Sequence, residues 1–295
     1  MSASDAFAAA AGGARAASRS IETETVSVEG IDTFVRRVRG EGPPTVFVHG
    51  VPTHSGDWTP FLERAGGPAL AFDLPGFGRS QRPQPERFDC SVHSYGRFAE
   101  SLLAELGIGE HSLVVHDWGV VALIGAQRRP QRLRRLCVID AVPLLPGYRW
   151  HRTARHWRTP LLGELLMRLF TPRLAPLALR ESRGDWGPPP RELVEAATAH
   201  LDRGTLDAIL RLYRSADEPV LAQLGKNLGA IAAPALVVWA GRDRYLPARF
   251  GRGYAAALPN SELLELPEAG HWPWWGEAPG LVETVLEFTE VVNEA

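Results

Sequence analysis

Five short, almost wholly apolar runs, at residues 45–48, 69–72, 112–115, 136–139 and 235–239, punctuate this chain, and most are separated by segments of helical length. A strand that is apolar on both faces must be covered on both, and a parallel sheet wrapped by helices does this. The rhythm therefore predicts an α/β protein with a mostly parallel sheet flanked by helices. Ahead of it, two runs of alternating polar and apolar residues, 22–28 and 33–39, are separated by Gly30 and predict an antiparallel edge pair. Helices are expected over residues 95–106, 120–128 and 279–292, the last with Leu281, Val282, Val285, Leu286 and Phe288 as its apolar stripe.

The rhythm stops between Pro143 and about Ala230, where helical patterns follow one another without a clear strand. Pro160, Pro172, the run Pro188-Pro189-Pro190 and Gly204 divide this stretch into several short helices. The expected organisation is a loose Ala-rich tail over residues 1–20, a core built from 21–142 and 231–295, and an inserted helical cap over 143–230.

Composition narrows the partners. The 295 residues include 32 basic and 34 acidic side chains for a net charge of −2. The sequence has no contiguous Lys/Arg block, which argues against a dedicated nucleic-acid binder, whose phosphate contacts need a basic patch. No stretch reaches the ~18 uninterrupted apolar residues of a membrane span, and the N-terminus lacks the basic start and apolar core of a signal peptide. A cytoplasmic protein without a membrane partner is expected, its oligomeric state unreadable. Only Cys90 and Cys137 are present, and Cys137 lies inside an apolar strand as a buried thiol, so no disulfide framework is expected.

Chemistry concentrates where the strands end. Leu113-Val114-Val115-His116-Asp117-Trp118-Gly119-Val120 is a strand running straight into a helix with Asp117 at the junction. A side chain on so tight a turn is presented at the rim of the sheet, yet Asp is also a preferred helix N-cap, and on this segment alone the two readings weigh about the same. His49-Gly50-Val51-Pro52 follows the strand 46–48 directly, so the amides of Val51 and Trp118 can converge on one oxygen. Further on, Ala240-Gly241-Arg242-Asp243-Arg244-Tyr245-Leu246-Pro247 and Glu268-Ala269-Gly270-His271-Trp272 place Asp243 and His271 each on a loop after a strand. Either alone reads as a solvated loop residue, but elbow acid, second acid and histidine in that chain order rarely arise by accident.

In these segments, and in Asp73-Leu74-Pro75-Gly76-Phe77-Gly78-Arg79-Ser80, the chain resembles the α/β-hydrolases with an aspartate nucleophile, which include epoxide hydrolases and haloalkane dehalogenases. The resemblance runs from about Ile21 to the C-terminus. It implies an α/β-hydrolase fold with a helical cap, Asp117 as nucleophile, His271 as base, and an oxyanion hole from Val51, on the loop that His49 opens, and Trp118, directly after Asp117. The histidine's partner is Asp243, the epoxide hydrolase position, with Asp140 as the alternative used by some dehalogenases. A carboxylate is already ionised near neutral pH and can attack an sp³ carbon directly, giving an alkyl ester that a His271-activated water then cleaves. No metal or organic cofactor is called for, and no His/Cys spacing matches a zinc motif.

The leaving group separates the subfamilies. An epoxide oxygen must be protonated as the ring opens, whereas a halide leaves as a stable anion and needs only N–H donors. Asp207-Ala208-Ile209-Leu210-Arg211-Leu212-Tyr213-Arg214 is similar to the late cap helix of epoxide hydrolases, which makes Tyr213 the candidate acid, or else a core aromatic. Tyr148, at the cap entry, is a weaker nominee. For a halide, Trp118 is present, but Val51 stands where dehalogenases of one group carry Asn; Trp150, Trp157 and Trp186 are the cap tryptophans that could compensate.

Residues 148–158, with arginines at spacing three and tryptophans at spacing seven, read as a helix with a basic and an aromatic side. A lid or an acidic-substrate site is possible there, a packed cap helix with a solvated basic face more ordinary. Trp272, Trp274 and Trp275 either wall the pocket or pack the last loop. The expectation is thus an enzyme that turns a small apolar epoxide and water into a diol. Haloalkane dehalogenation is the alternative, and a ligand-binding protein of hydrolase shape the third reading.

Overall fold

Burial of the apolar runs dictates the architecture. In the computed structural model, which describes residues 19–183, 185 and 187–290, eight strands form one sheet: β1 (Glu22–Val28), β2 (Ile31–Val38), β3 (Thr45–Val48), β4 (Ala69–Phe72), β5 (His111–Asp117), β6 (Leu133–Ala141), β7 (Ala235–Ala240) and β8 (Ser261–Leu266). Their spatial order is β1-β2-β4-β3-β5-β6-β7-β8. β2 is antiparallel to both β1 and β4, and all the other pairings are parallel.

Period-two alternation sorts the strand residues into two cores. Val46, Val48, Val115, Val138 and Val237 belong to one, with Tyr95, Phe98 and Leu102 of α1 (Val92–Glu105) and Tyr254 of a helix at Arg249–Ala257. Phe47, Val114, Cys137, Ile139 and Val238 belong to the other, with Trp58, Phe61 and the stripe Leu281, Val282, Val285, Leu286 of the helix Leu281–Glu290. Both faces are covered, which is why these strands read as continuous apolar runs.

Several boundaries differ from the sequence expectation. α1 starts at Val92 because the Ser91 hydroxyl caps it, accepting from the Ser94 amide at 3.2 Å. The helix expected over 120–128 opens as a 3-10 turn at Trp118–Val121 and continues as α2 (Ala122–Ala126). The final helix begins at Leu281, and residues 291–292 of its expected span lie outside the described residues, as does most of the expected tail. Arg19, at the tail's end, is tied down: its amide donates to Glu63 O at 2.9 Å and its guanidinium to Gly66 O at 2.6 Å. β8, the strand implied ahead of His271, stood out as no apolar run because it is an edge strand, with Glu262 and Glu265 exposed.

Between β6 and β7 the described residues contain only helices and turns. The longer ones are α3 (Arg152–Arg158), α4 (Leu162–Leu169), α5 (Arg191–Thr198), α6 (Arg203–Ser215) and α7 (Glu218–Leu224). Cys90 and Cys137 are free, buried thiols. No described helix is long and apolar enough to cross a membrane.

Candidate active site

β5 delivers Asp117 into a backbone conformation that side chains seldom adopt, with φ 47° and ψ −121°. Two glycines make room for it. A Cβ on Gly119 would sit 2.1 Å from the Val48 carbonyl oxygen, and one on Gly50 would sit 2.4 Å from the Asp117 Cβ. Asp117 precedes a helical turn, yet its carboxylate makes no capping hydrogen bond. Instead Oδ2 accepts the Val51 amide at 2.8 Å. Burial raises the Asp117 pKa, and the nearby His271 together with the Val51 and Trp118 amides works against that rise.

His271 sits between two carboxylates. Its Nδ1 is 2.6 Å from Asp243 Oδ2 and its Nε2 is 3.8 Å from Asp117 Oδ1. Burial alone would lower its pKa, but the charge and hydrogen bond of Asp243, then Asp117 and Asp140, raise it to about 9. Asp243 is itself clamped, its Oδ1 accepting the Tyr245 and Leu246 amides at 2.7 and 3.0 Å. Asp140 is fully buried but bonds elsewhere, with Oδ1 accepting the Ala240 amide at 2.8 Å and Oδ2 unpartnered among the described residues. Burial and the neighbouring Asp243 charge push its pKa well up.

Above these groups lies a cavity of about 100 Å³ lined by Asp117, His271, Val51, Tyr148, Tyr213 and Tyr245, with largely apolar walls that include Trp150, Trp157 and Trp272. The insertion supplies most of those walls. The Tyr148 hydroxyl is buried without a hydrogen-bond partner among the described residues. Burial and then the Asp117 charge keep both Tyr148 and Tyr213 well above the usual phenol pKa, hence protonated. Tyr213, on α6, packs edge-on against Trp118 and Trp157 at ring-centroid distances of 5.0 and 5.2 Å.

Not every expected residue reaches this cavity. His49 is buried beneath it, donating from Nδ1 to Gly50 O at 2.8 Å and accepting the Leu74 amide on Nε2 at 3.0 Å. It fastens the loop and does not line the cavity. Trp118 is also fully buried and outside the lining, with its indole N–H unpartnered among the described residues. Trp274 stacks on Trp58 in the lower core, Trp275 hydrogen-bonds Asp57, and Trp186 lies outside the described residues.

Two groups were missed. His116, whose Nε2 donates to the His271 carbonyl at 2.8 Å, is a polar residue inside an apolar strand immediately before Asp117, a visible signal. Asp57 accepts Thr53 Oγ1 at 2.6 Å and the Trp272 and Trp275 indoles at 3.2 and 3.4 Å. Nothing local marks its link to the His271 loop, since its indole partners are over two hundred residues away.

This sheet order, with an elbow acid after β5, a second acid after β7 and a histidine after β8, defines a hydrolase of the α/β type with a helical insertion over its strand ends. The chain belongs to the alpha/beta hydrolase family, whose sequence profile matches residues 45–284. A 2-hydroxy-6-oxononadienedioate/2-hydroxy-6-oxononatrienedioate hydrolase of Comamonas testosteroni is 26% identical over 279 residues, covering 90% of this chain and 94% of the relative. An epoxide hydrolase 2 of Siraitia grosvenorii is 37% identical over 120 residues, 39% of this chain and 37% of its own. Among solved structures, the haloalkane dehalogenase DbeA from Bradyrhizobium elkani matches with a TM-score of 0.74 at 24% identity, covering 91% of this chain and 99% of that one. At that identity the likeness speaks for the fold.

Proposed function

We propose that the protein hydrolyses a small apolar epoxide to a diol through an ester of Asp117, with the helices between β6 and β7 acting as a cap over the site. The observation that carries this reading is the shared cavity: Asp117, His271 and three tyrosines, Tyr148 and Tyr213 among them, line one largely apolar space. Asp117 Oδ1, the oxygen nearer His271, attacks an epoxide carbon, and the carbon–oxygen bond of the ring breaks. Tyr148 or Tyr213 gives its proton to the departing alkoxide. His271 Nε2 then takes a proton from water, whose oxygen adds to the Asp117 carbonyl. Oδ2, already held by the Val51 amide, carries the charge of that tetrahedral intermediate. Its collapse breaks the ester bond to the second diol oxygen, which takes the proton from His271, and the proton left on the Asp117 carboxyl returns to the tyrosinate; the diol leaves, and carboxylate, histidine and tyrosine are restored with water as the only co-reactant.

Haloalkane dehalogenation is the second reading, favoured by the buried, unpartnered Trp118 indole N–H, since a halide needs such a donor. That Trp118 does not line the cavity weighs against it. One variant tests both. His271→Gln should form the ester without cleaving it, so it is incubated with epoxides or with bromoalkanes and weighed intact. Gain of a whole epoxide mass, lost in Asp117→Ala, is the expected result. Gain of an alkyl group with bromide release would establish the dehalogenase, and no adduct from either panel would sink the ester mechanism for both substrate classes.

A further inference from the structure

The middle of the helical insertion is apolar on two sides at once. On its inner side Met167, Phe170, Ala175 and Leu179 line the cavity. On its outer side Leu161, Leu165, Leu169, Leu174 and Leu177 are 84%, 52%, 62%, 46% and 66% exposed. α4 carries only Glu164 and Arg168 as charged residues. A helix apolar nearly all round is normally covered, and five exposed leucines within one segment are more than the scattered apolar residues of an ordinary surface.

Charge says what covers them. Residues 149–180 contain seven arginines and a single acid, Glu164, which Arg214 already engages through both oxygens. Arg149, Arg152, Arg155, Arg168, Arg173 and Arg180 are exposed. A second copy of this chain docked face to face across a two-fold axis would set these arginines against their own kind, which disfavours self-association through this surface. An anionic lipid surface suits both halves of the pattern, taking leucines at the acyl boundary and arginines among the headgroups.

We propose that this face adsorbs to bilayers bearing anionic headgroups, so that α4 and the turns after it stand between the membrane and the cavity. The contact is peripheral, with no span, and differs from the sequence expectation, which considered only spanning and secreted segments. It does not depend on which bond is cleaved at Asp117.

The test is co-sedimentation of the full chain with vesicles of phosphatidylcholine containing about a third phosphatidylglycerol, against pure phosphatidylcholine, at low and high salt. The expected result is binding to the anionic vesicles that weakens with salt, and that falls by at least about tenfold in Leu165→Glu/Leu169→Glu. That variant alters neither cavity nor elbow, and an unchanged far- and near-UV dichroism spectrum and melting midpoint show that it is folded whatever the chemistry at Asp117. No binding to anionic vesicles, or binding that the variant leaves intact, overturns the proposal. So does a dimer in sedimentation velocity that the same substitutions dissociate, since the leucines would then be a self-interface.

Discussion

Asp117 and His271 share a buried space in which each sets the charge of the other. The Asp117 carboxylate is one reason the His271 pKa stands at about 9, and the esterification proposed above would remove that charge. In the proposed mechanism His271 therefore loses a stabilising neighbour at the step where it acts as base, and its pKa falls toward the working range. Only the neutral imidazole can take a proton from water, so lowering the pH through the pKa of the esterified form stalls the second half-reaction. Rapid-quench mass analysis during turnover should show the ester fraction rising as pH falls, and a fraction flat with pH would exclude His271 as the base. In the same proposal the tyrosines act on the other half. Tyr213→Phe should slow epoxide ring opening by roughly 10²–10³-fold while leaving any halide displacement near its starting rate. If Tyr148→Phe carries the loss in single-turnover assays, Tyr148 is the principal acid; equal loss on both substrate types would remove Tyr213 from that role. The tyrosine on α6 was legible because a pattern marks its helix. Tyr148 was faint because its value lies in a buried, unpartnered hydroxyl, and burial is a property of the fold.

The site is assembled by three connections that must keep register: the loop after β3, the elbow after β5 and the loop after β8. The first two were readable in the sequence because each is a strand ending directly in a short motif, His49-Gly50-Val51-Pro52 and His116-Asp117-Trp118-Gly119, with glycines where the backbones nearly touch. What couples them to the third was not readable, because it consists of contacts between distant segments. His116 reaches from the elbow strand to the His271 carbonyl, and Asp57 reaches from just beyond the first loop to Trp272 and Trp275. Burial raises the Asp57 pKa to about 6, opposed by hydrogen bonds from Thr53, Trp272 and Trp275. Above about pH 6 the charged carboxylate accepts all three bonds, and below it the protonated form holds them less strongly. Asp57→Asn should therefore lower turnover roughly three- to tenfold near neutral pH, the worth of about one hydrogen bond. On the acid side the two proteins should converge, because the parent is itself neutral there. A pH-independent ratio between variant and parent would show that the charge of Asp57 plays no part in holding the His271 loop.

At the scale of the whole molecule, the helices inserted between β6 and β7 do not form a core of their own. Trp150, Ala154, Met167, Ile209 and Tyr213 join the cluster that contains β3 and β5 on one side of the sheet, while Ala175, Leu179, Leu193 and Ala197 join the cluster on the other. A break in strand rhythm raised the expectation of helices there, but it could not give their attachment, since periodicity gives the apolar face of a helix and leaves open what that face meets. Trp150 is the main tie. It stacks on Trp118 of the elbow at 5.5 Å, meets Tyr148 and Tyr213 at 5.0 Å each, and donates its indole N–H to Ala216 O at 3.0 Å. Because insertion and sheet share their cores, they should melt together, and calorimetry and near-UV dichroism should report one coincident transition. Trp150→Ala should destabilise that single unit by about 3–5 kcal/mol through the cavity it leaves. At ~2–4 °C per kcal/mol for a chain of this size, the midpoint should drop by roughly 6–20 °C. A variant that instead splits the transition, with the upper midpoint unmoved, would mean that the insertion folds as an independent domain and that the tyrosines it carries are positioned by docking alone.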